Sequence, residues 1–201
     1  MTTLTRTDSF ADRIAKVLSL IFHPLIVVIP TMVIAITQRG NTFWQSLFWT
    51  GLAVCIVNLP MAFLILNGVR SGRYSDASVS IREQRGSLFA VGGICLVVLL
   101  AILILAKAPM ILVACLVSAV LSTAIGFVIN RFTKLSIHSA AMAGCATVLL
   151  QTAPIVGIVV VVFAPLVGWA RIRLKHHTPL QILIGWMVPI LCVLAVFYLL
   201  L

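Results

Sequence analysis

Long apolar stretches alternate with short polar ones along the chain. Apolar runs cover 17–37, 46–67, 87–106, 109–130, 137–150, 154–170 and 180–201. A hydrocarbon core about 30 Å thick takes about 20 helical residues at about 1.5 Å each, so most of these runs are long enough to cross a bilayer. The fifth and sixth are short and meet at Gln151-Thr152-Ala153-Pro154, which reads as a tight hairpin. They either cross with little tilt or stop before the far interface. Open strands are excluded, because lipid cannot satisfy their backbone groups. The expected fold is an all-α polytopic transmembrane bundle with about seven spans, or six plus a re-entrant hairpin.

Residues 1–16 hold Arg6, Asp8, Asp12, Arg13 and Lys16 ahead of the first run. That run is too long for a cleaved signal peptide, and no small-x-small cleavage site follows it. The expectation is an N-terminal interfacial segment, with a short helix beginning near Ser9, followed by one transmembrane domain over 17–201.

Composition agrees. The chain is 62% hydrophobic and 9% charged, with a mean hydropathy of +1.23. A water-soluble domain needs more polar surface than this, so the bilayer itself is the first expected partner. The five cysteines all lie inside apolar runs without ligand spacing and read as small packing residues.

Charge adds direction. A formal net charge of +10 would suit nucleic acid, but the cations are spread over short inter-span segments and form no basic domain. With seven spans, twelve Lys and Arg fall on one face, and only Arg39 and Lys107 on the other. Lys and Arg are retained in the cytoplasm during insertion, which puts the N-terminus inside and the C-terminus on the opposite side. All four acids and His138, His176 and His177 share the cation-rich face.

Three polar clusters converge there: 75–85, 134–140 and 170–181. They supply guanidinium donors (Arg82, Arg85, Arg171), the ammonium of Lys134, imidazoles, and hydroxyls such as Ser136 at helix starts. Phosphate is the ligand that suits this set, since planar guanidinium forks pair with its oxygens. Thr178-Pro179 reads as a helix N-cap and first turn. His177 then stands just before a helix N-terminus, where an anion is favoured and an imidazole stays neutral and nucleophilic. His138 falls in the opening turn of the fifth run, with Ser136 as cap.

The order and spacing of these clusters resemble the type 2 phosphatidic acid phosphatase superfamily, whose fold is shared with vanadium haloperoxidases and whose signature is K-x6-R-P, P-S-G-H, then S-R-x5-H-x3-D. Leu135-Ser136-Ile137-His138 matches the second motif at Ser and His, and Arg171, His177 and Gln181 stand in the register of the third. The segment 82–85 stands where the first would be. The resemblance implies a membrane-embedded hydrolase of a phosphorylated lipid or polyprenyl phosphate, with no cofactor and no metal. His177 would be the nucleophile, and His138 the acid and base at the leaving oxygen. Arg171, with Arg82 or Arg85, would hold the phosphoryl group, and Ser136 would hydrogen-bond it. Gln181 replaces the Asp that orients the nucleophile, the upstream Lys is missing, and Ile137 replaces a glycine.

Plainer readings stand beside these. Thr178-x-x-Gln181 is a capping box in its own right. Arg82, Arg85, Arg173 and Lys175 serve topology and anionic headgroups equally well. His23, inside the first run and away from the clusters, suits a helix–helix hydrogen bond. Two adjacent histidines with few acids make a poor metal set. A lipid-phosphate binder without turnover is the alternative to the enzyme. A transporter fits least, because the span interiors are almost free of ionisable groups. The chain does not reveal oligomeric state or the identity of the lipid.

Overall fold

A computed structural model describes residues 9–201; the expectations for residues 1–8, including Arg6 and Asp8, lie outside the described residues. Among the described residues helix is the dominant structure and there is no strand. Helix α1 spans Phe10–Ile21, α2 Pro24–Thr37, α3 Phe43–Ala53, α4 Leu59–Arg70 and α5 Gly86–Leu105. Helix α6 spans Met110–Ile129, α7 Ile137–Thr152, α8 Pro154–Arg173 and α9 Pro179–Leu200.

Each apolar run became helix, but not each became a full-length span. Five stretches are long and apolar enough to cross a membrane, and the α1–α2 pair, bent by 49°, makes a sixth if counted as one. The expected seven is therefore met only in part, for two physical reasons. Helix α7 has 16 residues, about 24 Å at 1.5 Å per residue, short of a core about 30 Å thick. The first run is broken at His23-Pro24. A proline disfavours helical geometry in the residue before it, and His23 is extended, with φ −64° and ψ 139°. Its Nδ1 caps the new helix by accepting from Leu25 N at 3.3 Å.

Between α3 and α4 the helix continues through a π turn at Val54–Asn58. Pro60 cannot donate to the carbonyl four residues back and crowds it, and a wider turn relieves both problems. Asn58 then reaches across to donate to Leu25 O at 2.7 Å, tying this turn to the start of α2.

Apolar packing is concentrated toward the end of the bundle where α2, α5 and α9 finish, in a cluster including Ile36, Leu99, Leu103, Leu112 and Phe197. The opposite end is polar inside. There α7 and α9 nearly touch: Ser136 N donates to Gln181 O at 3.2 Å. A Cβ on Gly185 would stand 2.9 Å from the Ser136 carbonyl oxygen. The α7–α8 hairpin is equally close, since a Cβ on Gly157 would meet Leu150 N at 2.4 Å.

Candidate functional site

The three polar clusters do meet, at the end of the bundle where α4, α6 and α8 finish and α5, α7 and α9 begin. The tie between the 75–85 segment and the 131–136 loop is made by arginines and a lysine donating to carbonyls. Arg85 donates from Nε to Val79 O at 2.8 Å and from Nη1 to Leu135 O at 2.7 Å. Lys134 Nζ donates to Ser80 O at 3.0 Å. Arg171, near the end of α8, donates from Nη1 to Ser78 Oγ at 3.3 Å. Electrostatically, His177 feels Arg85, Arg171 and Lys134, and His138 feels Arg171, His23, His177 and Arg85.

Burial turns this cluster into a chemical problem. Arg85 and Arg171 are each 1% exposed, His138 is 4% exposed and His177 is 6% exposed. Arg171 Nε and Nη2 are buried and find no acceptor in the protein. A buried guanidinium left unpaired costs several kcal/mol. The carboxylate whose field reaches Arg85, Arg171 and Lys134 is Asp76. Asp76 already accepts from Ser78 N at 2.8 Å, from Ser75 Oγ at 2.8 Å, and from both N and Oγ of Ser80. Burial alone would raise its pKa, but these hydrogen bonds outweigh it and hold the carboxyl ionised, with its pKa below the usual value. The pocket remains strongly positive and short of acceptors.

His177 has a defined tautomer. Gln181 Oε1 accepts from Thr178 N at 3.3 Å, so the atom facing that donor is oxygen. The same oxygen lies 3.1 Å from His177 Nδ1, which must therefore carry the proton. Nε2 is left with its lone pair. Burial first, then the charges of Arg85 and Arg171, push the His177 pKa down to about 3. The ring is neutral at any physiological pH. His176 is lowered as well, again by burial and then Arg171. Gln181 is both things the sequence allowed, since it closes the α9 capping box with Thr178 and holds the imidazole.

Ser136 caps α7 and is fully buried. Its Oγ accepts from Ser139 N at 3.3 Å and from Ser139 Oγ at 3.0 Å, so its own proton is left to donate. His138 Nε2 is buried and unpartnered.

Two expectations need correction. Arg82 does not join the cluster: it is partly exposed, donates to Arg131 O and Phe132 O, and pairs with Glu83 at 3.2 Å. Of the two alternatives for the first motif, Arg85 is the buried one. His23 is not remote; its ring meets that of His138 edge-on at 5.1 Å. The signal was present in the sequence, since His23-Pro24 repeats the cap-then-proline logic of Thr178-Pro179. Arg173 turns to the bundle surface, to Asp12 at 2.8 Å and Ser9 at 3.0 Å, fastening α1 to α8.

The 75–80 loop was legible as polar but not as a strained strap. Val79 is buried with φ +43°, a left-handed conformation that a β-branched residue adopts only when its surroundings enforce it. Here Val79 N donates to Asp76 O, Val79 O accepts from Arg85, and the side chain packs with Tyr74 and Leu88.

Comparison with protein-family models, with curated proteins and with solved structures gives no match for this chain.

Proposed function

We propose that this protein is a membrane-embedded phosphatase that removes phosphate from an amphiphile, a lipid phosphomonoester or diphosphate, through a phosphohistidine on His177. The observation that carries the reading is Arg171, a buried guanidinium with two nitrogens, Nε and Nη2, unpaired beside a neutral imidazole. Tetrahedral phosphate supplies the missing acceptors and the missing negative charge together. The resemblance of Ser136, His138, Arg171 and His177 to the type 2 phosphatidic acid phosphatase signature supports the same chemistry.

In the first step His177 Nε2 attacks phosphorus and the bond to the lipid oxygen breaks, that oxygen taking a proton from His138. In the second, water attacks the phosphohistidine and gives its proton back to His138, releasing inorganic phosphate and the free imidazole. Arg171 and Arg85 stabilise the equatorial oxygens in transit, and Ser136 Oγ–H donates to one of them. The arriving phosphate brings the negative charge beside which a protonated His138 is stable. Lys134 adds positive potential at the mouth; burial and the nearby arginines hold its pKa below the usual value.

The membrane reading follows the same frame. The bent α1–α2 pair crosses once, α3 and α4 together cross once, and α5 to α9 each cross, the short α7 with local thinning of the bilayer. The cation-rich end, and with it the pocket, is cytoplasmic by the excess of Lys and Arg. The lipid tail stays in the bilayer while its phosphate reaches the pocket.

One observation favours a second reading, that of a lipid-phosphate binder without turnover. Gln181 orients His177 but brings no charge to stabilise the imidazolium phosphate, and in triad hydrolases losing that carboxylate costs about 10⁴ in rate. The test is purified protein supplied with phosphatidate, phosphatidylglycerol phosphate and polyprenyl phosphates. Phosphate release that disappears in His177→Ala supports the enzyme. Binding without release in both proteins supports the binder, and neither binding nor release refutes both.

A further inference from the structure

A second site lies on the outside of the bundle, in a groove of about 790 Å³ between the last turns of α4 and the start of α5. Its walls are Pro60, Phe63, Leu64 and Val91, and its polar end carries Arg70 and Arg73. Among the described residues these two arginines make no hydrogen bond or ion pair, and both are exposed. They stand apart from the buried cluster of Arg85 and Arg171.

The groove is built to hold its shape. Tyr74 folds back under α4, donating from N to Gly68 O at 2.9 Å, and its ring occupies the space a Gly68 side chain would need. Tyr74 Oη also meets Ser87 Oγ on α5 at 2.6 Å. Gly72, with φ +73°, makes the reversal possible. The turn therefore presents Arg73 on the same side as Arg70, about two turns above an apolar wall that includes Phe63, 67% exposed. A helix C-terminus carries roughly half a negative charge, and two guanidiniums outweigh it. A row that is apolar toward the bilayer middle and doubly cationic at the interface matches one kind of molecule, a phospholipid with an anionic headgroup. The volume suits the headgroup, glycerol and upper methylenes, within the roughly 300–1,000 Å³ of ordinary ligand pockets.

We infer that this groove is a seat for an anionic bilayer phospholipid, separate from the buried pocket and independent of whether that pocket hydrolyses anything. The probe is phosphatidylglycerol in phosphatidylcholine nanodiscs holding the full chain, with retained lipid counted by native mass spectrometry. Wild type is expected to retain phosphatidylglycerol over phosphatidylcholine, and the double variant Arg70→Gln, Arg73→Gln to lose about 10–30-fold of that preference, at about 1 kcal/mol per interfacial cation. Arg70→Lys, Arg73→Lys restores most of it, which separates charge from any folding defect. Phe63→Glu lowers retention with both arginines intact. Equal retention in wild type and the Gln variant overturns the proposal. So does full competition by inorganic phosphate, which would mark an anion site without a lipid.

Discussion

At the scale of single residues, Gln181 holds the His177 imidazole by its Nδ1 while burial and two arginines keep the ring neutral. Arg171, His177 and Gln181 were legible because their spacing on either side of a helix start is a local property. Asp76, Ser78 and His23 were not, because their roles depend on a strap and a broken helix folding over residues far away in sequence. Arg82 and Arg85 lie three residues apart on a 3-10 turn and so leave it on the same face; no pattern in 82–85 says that Arg85 reaches the buried carbonyls of Val79 and Leu135 while Arg82 reaches the outer loop at Phe132. The low pKa of His177 has a consequence that can be measured. Its folded value of about 3 lies below the ordinary 6.5, so on acidification the unfolded chain takes up the proton first. The stability this group contributes is intact above about 6.5 and is lost progressively as pH falls toward 3. Thermal melts in detergent from pH 7 to pH 4 should show a steeper acid decline for wild type than for His177→Gln, which keeps a hydrogen-bonding side chain but cannot titrate. Equal slopes would mean the imidazole is not buried as described.

At the scale of elements, apolar length located the helices after α1, yet two breaks were set by proline. His23-Pro24 split one run into α1 and α2, and Pro60 opened the π turn that places Asn58 on Leu25. Apolarity reports burial in lipid or core and is blind to such bends, which explains why the span count was the least legible part of the fold. The element contact that matters most for the pocket is α7 against α9. Gly185 lets the Ser136 carbonyl approach, and Ser136 N bonds Gln181 O in the turn above. Gly185→Val has no room for its side chain against backbone and must push the two helix starts apart. That separates Ser136 and His138 from Gln181 and His177 without touching any of them. Phosphate release should fall at least 100-fold, since misplacement by about 1 Å costs about that much, while a bundle-wide melt shifts by only a few degrees. Undiminished release in this variant would show that the two helix starts need not be held together.

At the scale of the whole molecule, the pocket depends on loops distant in sequence emerging at one end of the bundle. The hydrogen bonds from Arg82, Arg85, Lys134 and Arg171 already place the 75–85, 131–136 and 171–178 segments together. Which side of the membrane that end faces, and whether the short α7–α8 hairpin crosses, are separate questions that one labelling series answers. With the five native cysteines replaced by alanine, Lys107→Cys, Gln151→Cys and Lys175→Cys each place a single thiol in an end turn or at the exposed hairpin tip. Lys107 and Lys175 both sit in left-handed turns after a helix, so the two substitutions carry the same backbone cost. Each removes one cation from a twelve-to-two distribution, too little to invert insertion. In intact cells an impermeant maleimide should label Lys107→Cys, and Lys175→Cys only after permeabilisation. Labelling of Gln151→Cys without permeabilisation marks α7 and α8 as crossing, whereas protection until the membrane is opened marks a hairpin that returns. In either case positions 107 and 175 must fall on opposite sides, because α6 alone carries the chain from one end of the bundle to the other before the hairpin begins. Finding them on the same side would separate the arginine cluster from its own loops and remove the shared pocket.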